Sequence, residues 1–221
     1  MSKLPQFESP HFIAIEGPVR VGKTSLADIL AKRLSAVRLR DVEDNPFLED
    51  FYEDRPDAAF KTQMYFLFRR YQQLFSLDLA AHPERVIVSD YMFEKDKIFA
   101  YMNLGDAELQ IYEEYFARFA EQVPVPDLVI YLQAKPETLR RRISKKNLPM
   151  EHQISDEYLE EVVKAYEHFF FHYKRSNLLV VDTSEIDFVD RNEDLWELLR
   201  RLSQPVQGTQ YFLPLGSAET D

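Results

Sequence analysis

Short apolar runs alternate with longer amphipathic segments along most of the chain. The apolar runs are short enough for buried strands and cover residues 11–16, 37–42, 85–90, 127–132 and 177–182. The segments between them repeat their apolar residues at helical spacing and cover residues 24–35, 57–80, 93–121 in two pieces, 136–146, 155–174 and 191–202. This alternation predicts an α/β fold in which helices flank a five-stranded parallel sheet.

The end of the chain has a different pattern. Residues 204–221 contain two prolines and two glycines and show no helical period. We expect a single domain over residues 1–203, followed by an irregular or disordered tail over residues 204–221.

Composition narrows the range of functions. The chain has 221 residues, of which 45% are hydrophobic, so it is long enough to bury one substantial core. Its net charge of -11 disfavours a surface that binds a nucleic acid polymer. The absence of cysteine excludes disulfide bonds, thiolate zinc sites and cysteine nucleophiles. No apolar run reaches the ~20 residues of a membrane-spanning helix, and residues 1–10 lack the apolar core of a secretory signal, so we expect a cytoplasmic protein without a membrane partner.

A phosphate-binding motif lies between the first predicted strand and the first predicted helix. Residues 17–24 read GPVRVGKT and fit the P-loop pattern G-x-x-x-x-G-K-[ST]. In such a loop the backbone amides surround phosphate oxygens, the lysine reaches the β and γ phosphates, and the last hydroxyl coordinates magnesium. We therefore expect a nucleoside triphosphate with Mg²⁺ here, against the alternative of a turn that only joins strand to helix. The expected binding residues are Gly17, Gly22, Lys23, Thr24 and Ser25, with Lys23 also catalytic.

An acidic residue ends the third predicted strand. Val86, Ile87 and Val88 run into Ser89 and Asp90, a pattern that resembles a Walker B strand. In an open α/β sheet this strand end faces the bound ligand, so we expect Asp90 to hold Mg²⁺, directly or through water, and to face the substrate. The alternative is that Asp90 only caps the next helix.

Further segments resemble a known family. Residues 43–52 read EDNPFLEDFY, residues 60–73 read FKTQMYFLFRRYQQ, and residues 126–143 contain PDLVIYL and PETLRRRI. Together with the phosphate loop, these segments make residues 11–182 similar to the bacterial deoxynucleoside kinases. The resemblance implies a P-loop kinase fold with a short lid, and a homodimer. It also implies that ATP, with Mg²⁺, phosphorylates the 5′-hydroxyl of a deoxyribonucleoside, with purines favoured, in nucleotide salvage.

The same resemblance assigns residues to the acceptor. Glu43 would be the general base on the 5′-hydroxyl, although it could instead cap a helix that begins near Pro46. Gln63 would pair with the edge of the base, and Arg70, seven residues later, would lie on the same helix face. Glu151 matches an acid that binds the sugar 3′-hydroxyl, although a surface glutamate is a close alternative.

A basic segment after the fourth predicted strand resembles the lid of this family, which closes over ATP. Arg142 matches a lid arginine and Lys146 stands in the place of a second one. Both are expected to bind ATP, and Arg142 is also expected to be catalytic because it compensates the charge of the transferring phosphoryl group. For Arg140 and Arg141 we favour a solvated helix face.

The third strand departs from the family pattern. The family shows an acid-Arg-Ser triplet there, whereas residues 89–91 of this chain read S-D-Y, so the arginine is missing. Its charge could be replaced by Arg20, Lys95 or Lys97. Two alternatives therefore stay open. One is a thymidylate-type nucleoside monophosphate kinase, in which Arg70 would hold the phosphate of the acceptor, and the other is an inert nucleotide-binding subunit of a partner protein.

Overall fold

A parallel β-sheet forms the centre of the protein. The computed structural model describes residues 11–79, 81–82, 84–147 and 154–214. Its described strands run in the order β2-β3-β1-β4-β5-β6, and every neighbouring pair is parallel. Their bounds are β1 Phe12–Glu16, β2 Val37–Leu39, β3 Ile87–Ser89, β4 Leu128–Gln133, β5 Asn177–Asp182 and β6 Thr209–Phe212. The predicted α/β fold with a parallel sheet is confirmed.

Helices flank the sheet as the periodic segments predict. They are α1 Lys23–Leu34, α2 Leu48–Tyr52, α3 Ala58–Phe75, α4 Asp96–Asn103, α5 Asp106–Ala120, α6 Pro136–Lys146, α7 Asp156–His172 and α8 Asn192–Leu202, with a 3₁₀ helix over Phe93–Lys95. Local chemistry sets several ends. The Ser155 hydroxyl accepts from the amide of Tyr158 and caps α7, and Pro136 begins α6, where its missing amide hydrogen costs nothing.

Two apolar cores lie on opposite faces of the sheet. Successive side chains of a strand point to opposite faces, so Ile13 and Ile15 of β1 enter one core while Phe12 and Ala14 enter the other. The first core includes apolar residues of α1, α6 and α8, and the second includes those of α3, α4 and α5. All of β1 is buried, as the near-continuous apolar run predicts for a central parallel strand.

The end of the chain differs from the expectation. Residues 209–212 pair in parallel with β5, from Leu178 opposite Thr209 to Val181 opposite Phe212, so the sheet has six strands and the prediction of five was wrong. This edge strand is only four residues long and its side chains are exposed or half-buried, which is why it lacks the apolar signature of the others. Part of the segment predicted to be irregular is therefore ordered, and residues 215–221 lie outside the described residues.

The parallel arrangement brings three strand ends together. Because β3 lies between β2 and β1, the segments that follow these strands meet at the carboxyl edge of the sheet. The phosphate loop follows β1, residue 41 lies just beyond β2, and residue 90 follows β3. In the described part of the chain, no helix combines the length and the apolar character needed to cross a membrane.

Candidate active site

The loop between β1 and α1 requires glycine at two positions. Gly17 has φ +147° and Gly22 has φ +109°, in the region that other residues rarely adopt. A Cβ atom would lie 2.2 Å from the carbonyl oxygen of Leu132 at the first position and 2.5 Å from Cζ of Phe188 at the second. The loop can therefore follow this path only with glycine at both places.

Two side chains at the start of α1 complete the loop. The Lys23 ammonium donates to the carbonyl oxygens of Gly17 (2.6 Å) and Pro18 (2.9 Å), which lie in the loop itself. Burial, with a smaller contribution from the nearby charge of Lys95, lowers the pKa of Lys23 to about 8. The Thr24 hydroxyl, one residue on, donates to a carboxylate that follows β3. The ammonium and the free amides of the helix N-terminus suit the oxygens of a phosphate chain.

A cavity of 560 Å³ opens over this loop. Its volume lies in the usual range of about 300–1,000 Å³ for small-molecule sites. The phosphate loop forms one wall, and α6 and the loop after β5 form the others. Six of the seven predicted nucleotide-binding residues line it together, namely Gly22, Lys23, Thr24, Ser25, Arg142 and the exposed Lys146. Gly17 lies at the root of the same loop.

Arg142 joins the walls of this cavity. Its guanidinium donates to the carbonyl oxygens of Thr183 (2.7 Å) and Ile186 (2.9 Å) and to the Thr183 hydroxyl (3.1 Å). These bonds fix the loop after β5 against α6, so in this structure the side chain shapes the cavity through the backbone. Burial lowers the pKa of Arg142. Residues 148–153, and with them the predicted sugar-binding Glu151, lie outside the described residues.

Asp90 is held by three donors at the carboxyl end of β3. One carboxylate oxygen accepts from the Thr24 hydroxyl (2.9 Å) and from the guanidinium of Arg38 (2.7 Å), and the other accepts from the backbone amide of Asp41 (2.8 Å). Burial alone would raise the pKa of Asp90, but the charge and hydrogen bond of Arg38, together with the bonds from the Asp41 amide and the Thr24 hydroxyl, outweigh it, and the pKa lies below its ordinary value. The carboxylate therefore stays ionised next to the threonine of the phosphate loop.

The oxygen ligands here fit magnesium that is shared with a phosphate chain. Among the described residues, no group of three or more histidine or acidic side chains could hold a metal by itself. Mg²⁺ usually takes one or two protein oxygens together with water and substrate phosphates. The Thr24 hydroxyl and the Asp90 carboxylate, 2.9 Å apart, match that donor set.

A second carboxylate, that of Asp41, lies beside Asp90, to which the backbone amide of Asp41 donates. Asp41 accepts from Nε and Nη2 of Arg70 (2.9 and 3.2 Å) and from Nζ of Lys95 (2.6 Å). Burial alone would raise the pKa of Asp41, but these two cations outweigh it and hold the pKa well below its ordinary range. Its side chain keeps 21% exposure, so a ligand can still reach it.

Glu43 does not join this cluster. Its side chain is exposed and makes no hydrogen bond or ion pair within the described part of the chain. Residue 41 donates its backbone amide to Asp90, whereas residue 43 lies two residues further along the connection from β2 to α2. A signal for Asp41 was present in the sequence, because it is the only acid inside the apolar run 37–42, as Asp90 is at the end of the run 85–90.

Gln63 and Arg70, the two residues of α3 that are predicted to bind the substrate, lie close together. Gln63 and Arg70, both buried on α3, each donate to the fully buried carboxylate of Asp96. The Gln63 amide nitrogen donates to the carboxylate (2.8 Å) and to the backbone carbonyl of Asp96 (2.9 Å), so both of its hydrogens are used. Because both partners are acceptors, the amide orientation is fixed, and Gln63 has only its carbonyl oxygen left for a ligand.

The chain is similar to known proteins along most of its length. Residues 13–207 match the family described as deoxynucleoside kinase. The chain is 34% identical to deoxyguanosine kinase of Bacillus subtilis (strain 168) over 191 residues, which cover 83% of this chain and 91% of that protein. It is 34% identical to deoxyadenosine kinase of Dictyostelium discoideum over 184 residues, 80% of this chain and 74% of that protein. The structure of deoxyadenosine kinase from M. mycoides with bound dATP has a TM-score of 0.72 and 27% identity to it, covering 87% of this chain and 100% of that one.

Proposed function

The chain belongs to the deoxynucleoside kinase family, and we propose that it transfers the γ-phosphoryl group of ATP to the 5′-hydroxyl of a purine deoxyribonucleoside. The observation that carries this proposal is the position of Asp41. Its partly exposed carboxylate lies between the phosphate loop, through Asp90 and Thr24, and the pair Gln63 and Arg70. A nucleoside whose base is held near Gln63 would present its sugar hydroxyl between Gln63 and the phosphate loop, next to Asp41.

We assign to Asp41 the role that the family resemblance gave to Glu43. The carboxylate is ionised at every working pH, so it accepts a hydrogen bond from the 5′-hydroxyl and orients the oxygen toward the γ-phosphorus. Phosphoryl transfer passes through a loose transition state, in which the attacking oxygen needs little charge before the bond forms. A carboxylate of low basicity is sufficient for this reaction, because the proton leaves late.

The triphosphate would bind in the cavity over the phosphate loop. In this proposal the Lys23 ammonium exchanges its two carbonyl partners in the loop for phosphate oxygens, because the negative charge of the triphosphate attracts it more strongly. Thr24 and Asp90 would hold Mg²⁺, which neutralises phosphate charge when it is bound. Arg142 and Lys146, on α6, line the same cavity and add positive charge on its far side.

The preference for a purine rests on the relatives, while Gln63 supplies a contact to the base. The one free group of its amide is an acceptor, which pairs with an amino group or ring N–H of the base. All four DNA bases, adenine and guanine among them, offer such a donor, so Gln63 binds the base but does not by itself select a purine. Two relatives of this chain are described as kinases of deoxyguanosine and deoxyadenosine, which agrees with a purine in this position.

The thymidylate-type alternative is disfavoured by Arg70. That reading needs a free arginine for the phosphate of the acceptor, whereas three nitrogens of this guanidinium already donate to Asp41 and Asp96. An acceptor without a phosphate group fits this site better.

A substrate panel tests the proposed function. The purified protein is incubated with Mg-ATP and, separately, each of the four deoxynucleosides and dTMP, and products are separated by chromatography. We expect dAMP or dGMP to form fastest and dTMP to stay unchanged. The proposal is wrong if the folded protein phosphorylates no deoxynucleoside, or if dTMP is its best substrate.

We further propose that two copies of the chain associate through α3 and α5. Aromatic residues of the two helices contact one another on the surface, with Tyr71 and Phe119 stacked at 4.2 Å and Phe68 beside Phe119 at 6.3 Å. Phe68 and Phe75 remain about half exposed, as in surfaces that another protein covers. Light scattering should give a dimer for the wild type and a monomer for the double variant Phe68→Glu, Phe75→Glu. A wild-type monomer at micromolar concentration would contradict this proposal.

A further inference from the structure

Because the arginine is missing after Asp90, the structure must show which residue supplies its positive charge. Of the three candidates for its replacement, Arg20 lines the cavity over the phosphate loop. Lys97 lies over the ring of Phe116, with its ammonium 4.6 Å from the ring centroid. Lys95 reaches the carboxylate cluster, where its ammonium contacts Asp41, and it is only 6% exposed.

The order of the strands explains how Lys95 reaches two acids. It ends the 3₁₀ helix that follows β3, and β3 lies between β2 and β1 in the sheet. A side chain from the central segment therefore lies between the segments that follow its two neighbours. The Lys95 ammonium is 2.6 Å from a carboxylate oxygen of Asp41, beyond β2, and 3.8 Å from one of Glu16, at the end of β1.

Glu16 connects this ammonium to the phosphate loop. Its carboxylate, which is fully buried, accepts from the amide of Gly17, the first residue of the loop (3.0 Å), and from the amide of Met92 (3.1 Å). The hydroxyl of Tyr166 donates to the same group (3.3 Å). Lys95 is its one cationic partner among the ion pairs of the described residues. A continuous chain of contacts thus runs from the loop through Glu16 and Lys95 to Asp41.

We propose that Lys95 is a positioning residue of the kinase reaction, which holds Asp41 at a fixed distance from the phosphate loop and supplies the positive charge of the missing arginine. This inference rests on the proposed function, in which Asp41 orients the 5′-hydroxyl. Arg70 approaches the Asp41 carboxylate from α3, whereas Lys95 approaches it from the segment after β3. Two cations from different elements leave the carboxylate little freedom to rotate, and positioning, together with electrostatic stabilisation, supplies most of the rate of phosphoryl-transfer enzymes.

The test is a set of variants with steady-state kinetics. Lys95→Met keeps the length of the side chain but removes the charge, Lys95→Arg restores a cation, and Lys97→Met is the matched control two residues away. Each is made in the wild type, and Lys95→Met is also combined with Asp41→Asn. ATP binding to every variant is measured by calorimetry, which shows that the phosphate loop is intact.

We expect Lys95→Met to lower kcat about 100-fold while KM for ATP changes less than about threefold. The kcat of Lys95→Arg should be at least about tenfold higher than that of Lys95→Met, and the kcat of Lys97→Met should stay within about threefold of the wild-type value. In the Asp41→Asn background, Lys95→Met should have almost no further effect on kcat, because a residue that acts through Asp41 has nothing left to position. A purely structural role would lower kcat equally in both backgrounds.

Each failure has a distinct meaning. If Lys95→Met keeps full kcat while Asp41→Asn is inactive, the inference about Lys95 is wrong and the proposed function stands. If Asp41→Asn itself keeps full kcat, the role proposed for Asp41 is wrong. If Lys95→Met does not fold, Lys95→Arg decides, because a loss of kcat as large as that of Asp41→Asn would contradict a role that any well-placed cation can fill.

Discussion

Replacing Arg70 by methionine tests the energetics of the buried carboxylate cluster. The guanidinium has only 6% side-chain exposure and donates to Asp41 through two nitrogens and to Asp96 through a third. Methionine is of similar length and fits against the ring of Phe66, which the guanidinium covers at 4.6 Å. The variant therefore removes the charge and the hydrogen bonds while most of the packing remains.

The structure gives the size of the expected loss. Asp41 keeps Lys95 as a partner, but Asp96 keeps only neutral donors, those of Gln63 and Tyr112. Removing one partner of a buried ion pair costs about 3–5 kcal/mol, because the remaining charge stays buried without compensation. For a protein of this size, that corresponds to a decrease in melting temperature of about 6–20 °C.

The loss should depend on pH in a defined direction. In the wild type the pKa of Asp41 lies well below its ordinary value, so its stabilisation is present above about pH 4 and is lost only as the pH falls through the lowered pKa. Burial already raises the pKa of Asp96 in the wild type. In the variant, the loss of Arg70 raises the pKa of Asp41 and raises that of Asp96 further, so that a proton can neutralise them. The difference in melting temperature between wild type and variant should therefore shrink between pH 7.5 and pH 5.

Calorimetric melting of the two proteins, without ligand, measures this difference. The matched control is Arg118→Met, which removes an exposed pair with Glu114 one helical turn away and should change the melting temperature by less than about 2 °C. A melting temperature of Arg70→Met within about 2 °C of the wild type at pH 7.5, or a larger difference at pH 5, would show that Arg70 does not stabilise the two buried carboxylates.

Two further predictions concern the phosphate loop. Gly22→Ala should weaken ATP binding at least tenfold, because the added Cβ would lie 2.5 Å from Phe188. In the control Gly105→Ala, the added Cβ has no atom closer than 4.0 Å, so ATP binding should be unchanged. Equal affinities of the two variants for ATP would contradict this prediction. ATP affinity should fall above pH 8, by up to about tenfold per pH unit. Burial lowers the pKa of Lys23 to about 8, so above this pH the side chain must take up a proton before it can bind the phosphates as an ammonium. An ATP affinity that calorimetry finds constant from pH 7 to 9.5 would contradict this prediction.

Most of the fold could be predicted because its elements follow from local patterns. The five predicted strands all form, and α6 begins at residue 136 and ends at residue 146 as its periodicity indicates. The sixth strand could not be predicted in this way. Its sequence TQYF has no buried face, and it becomes a strand only by pairing with β5. The two strands are distant in sequence, since Gly208 contacts Asn177, 31 residues earlier.

The candidate site likewise has one part that local sequence predicts and another that depends on tertiary contacts. The phosphate loop is encoded in eight consecutive residues, so its position could be predicted. The local sequence marks Asp41 only as the one acid in the apolar run 37–42, and it does not record the contacts of Asp41 with Arg70, 29 residues away, and Lys95, 54 residues away. The acidic segment at 43–44 offered a nearer match to the family, although it lies outside the buried cluster. The side chain of Arg142 was likewise expected on phosphate, and its bonds to Thr183 and Ile186 follow from tertiary packing.

The central claim is that the carboxylate of Asp41, and not that of Glu43, faces the 5′-hydroxyl. The most direct measurement compares kcat of Asp41→Asn and Glu43→Gln with the best deoxynucleoside at saturating Mg-ATP, with ATP binding measured for both. We predict that Asp41→Asn loses at least about 100-fold in kcat and that Glu43→Gln stays within about threefold of the wild type. A large loss in Glu43→Gln together with an active Asp41→Asn would contradict the account.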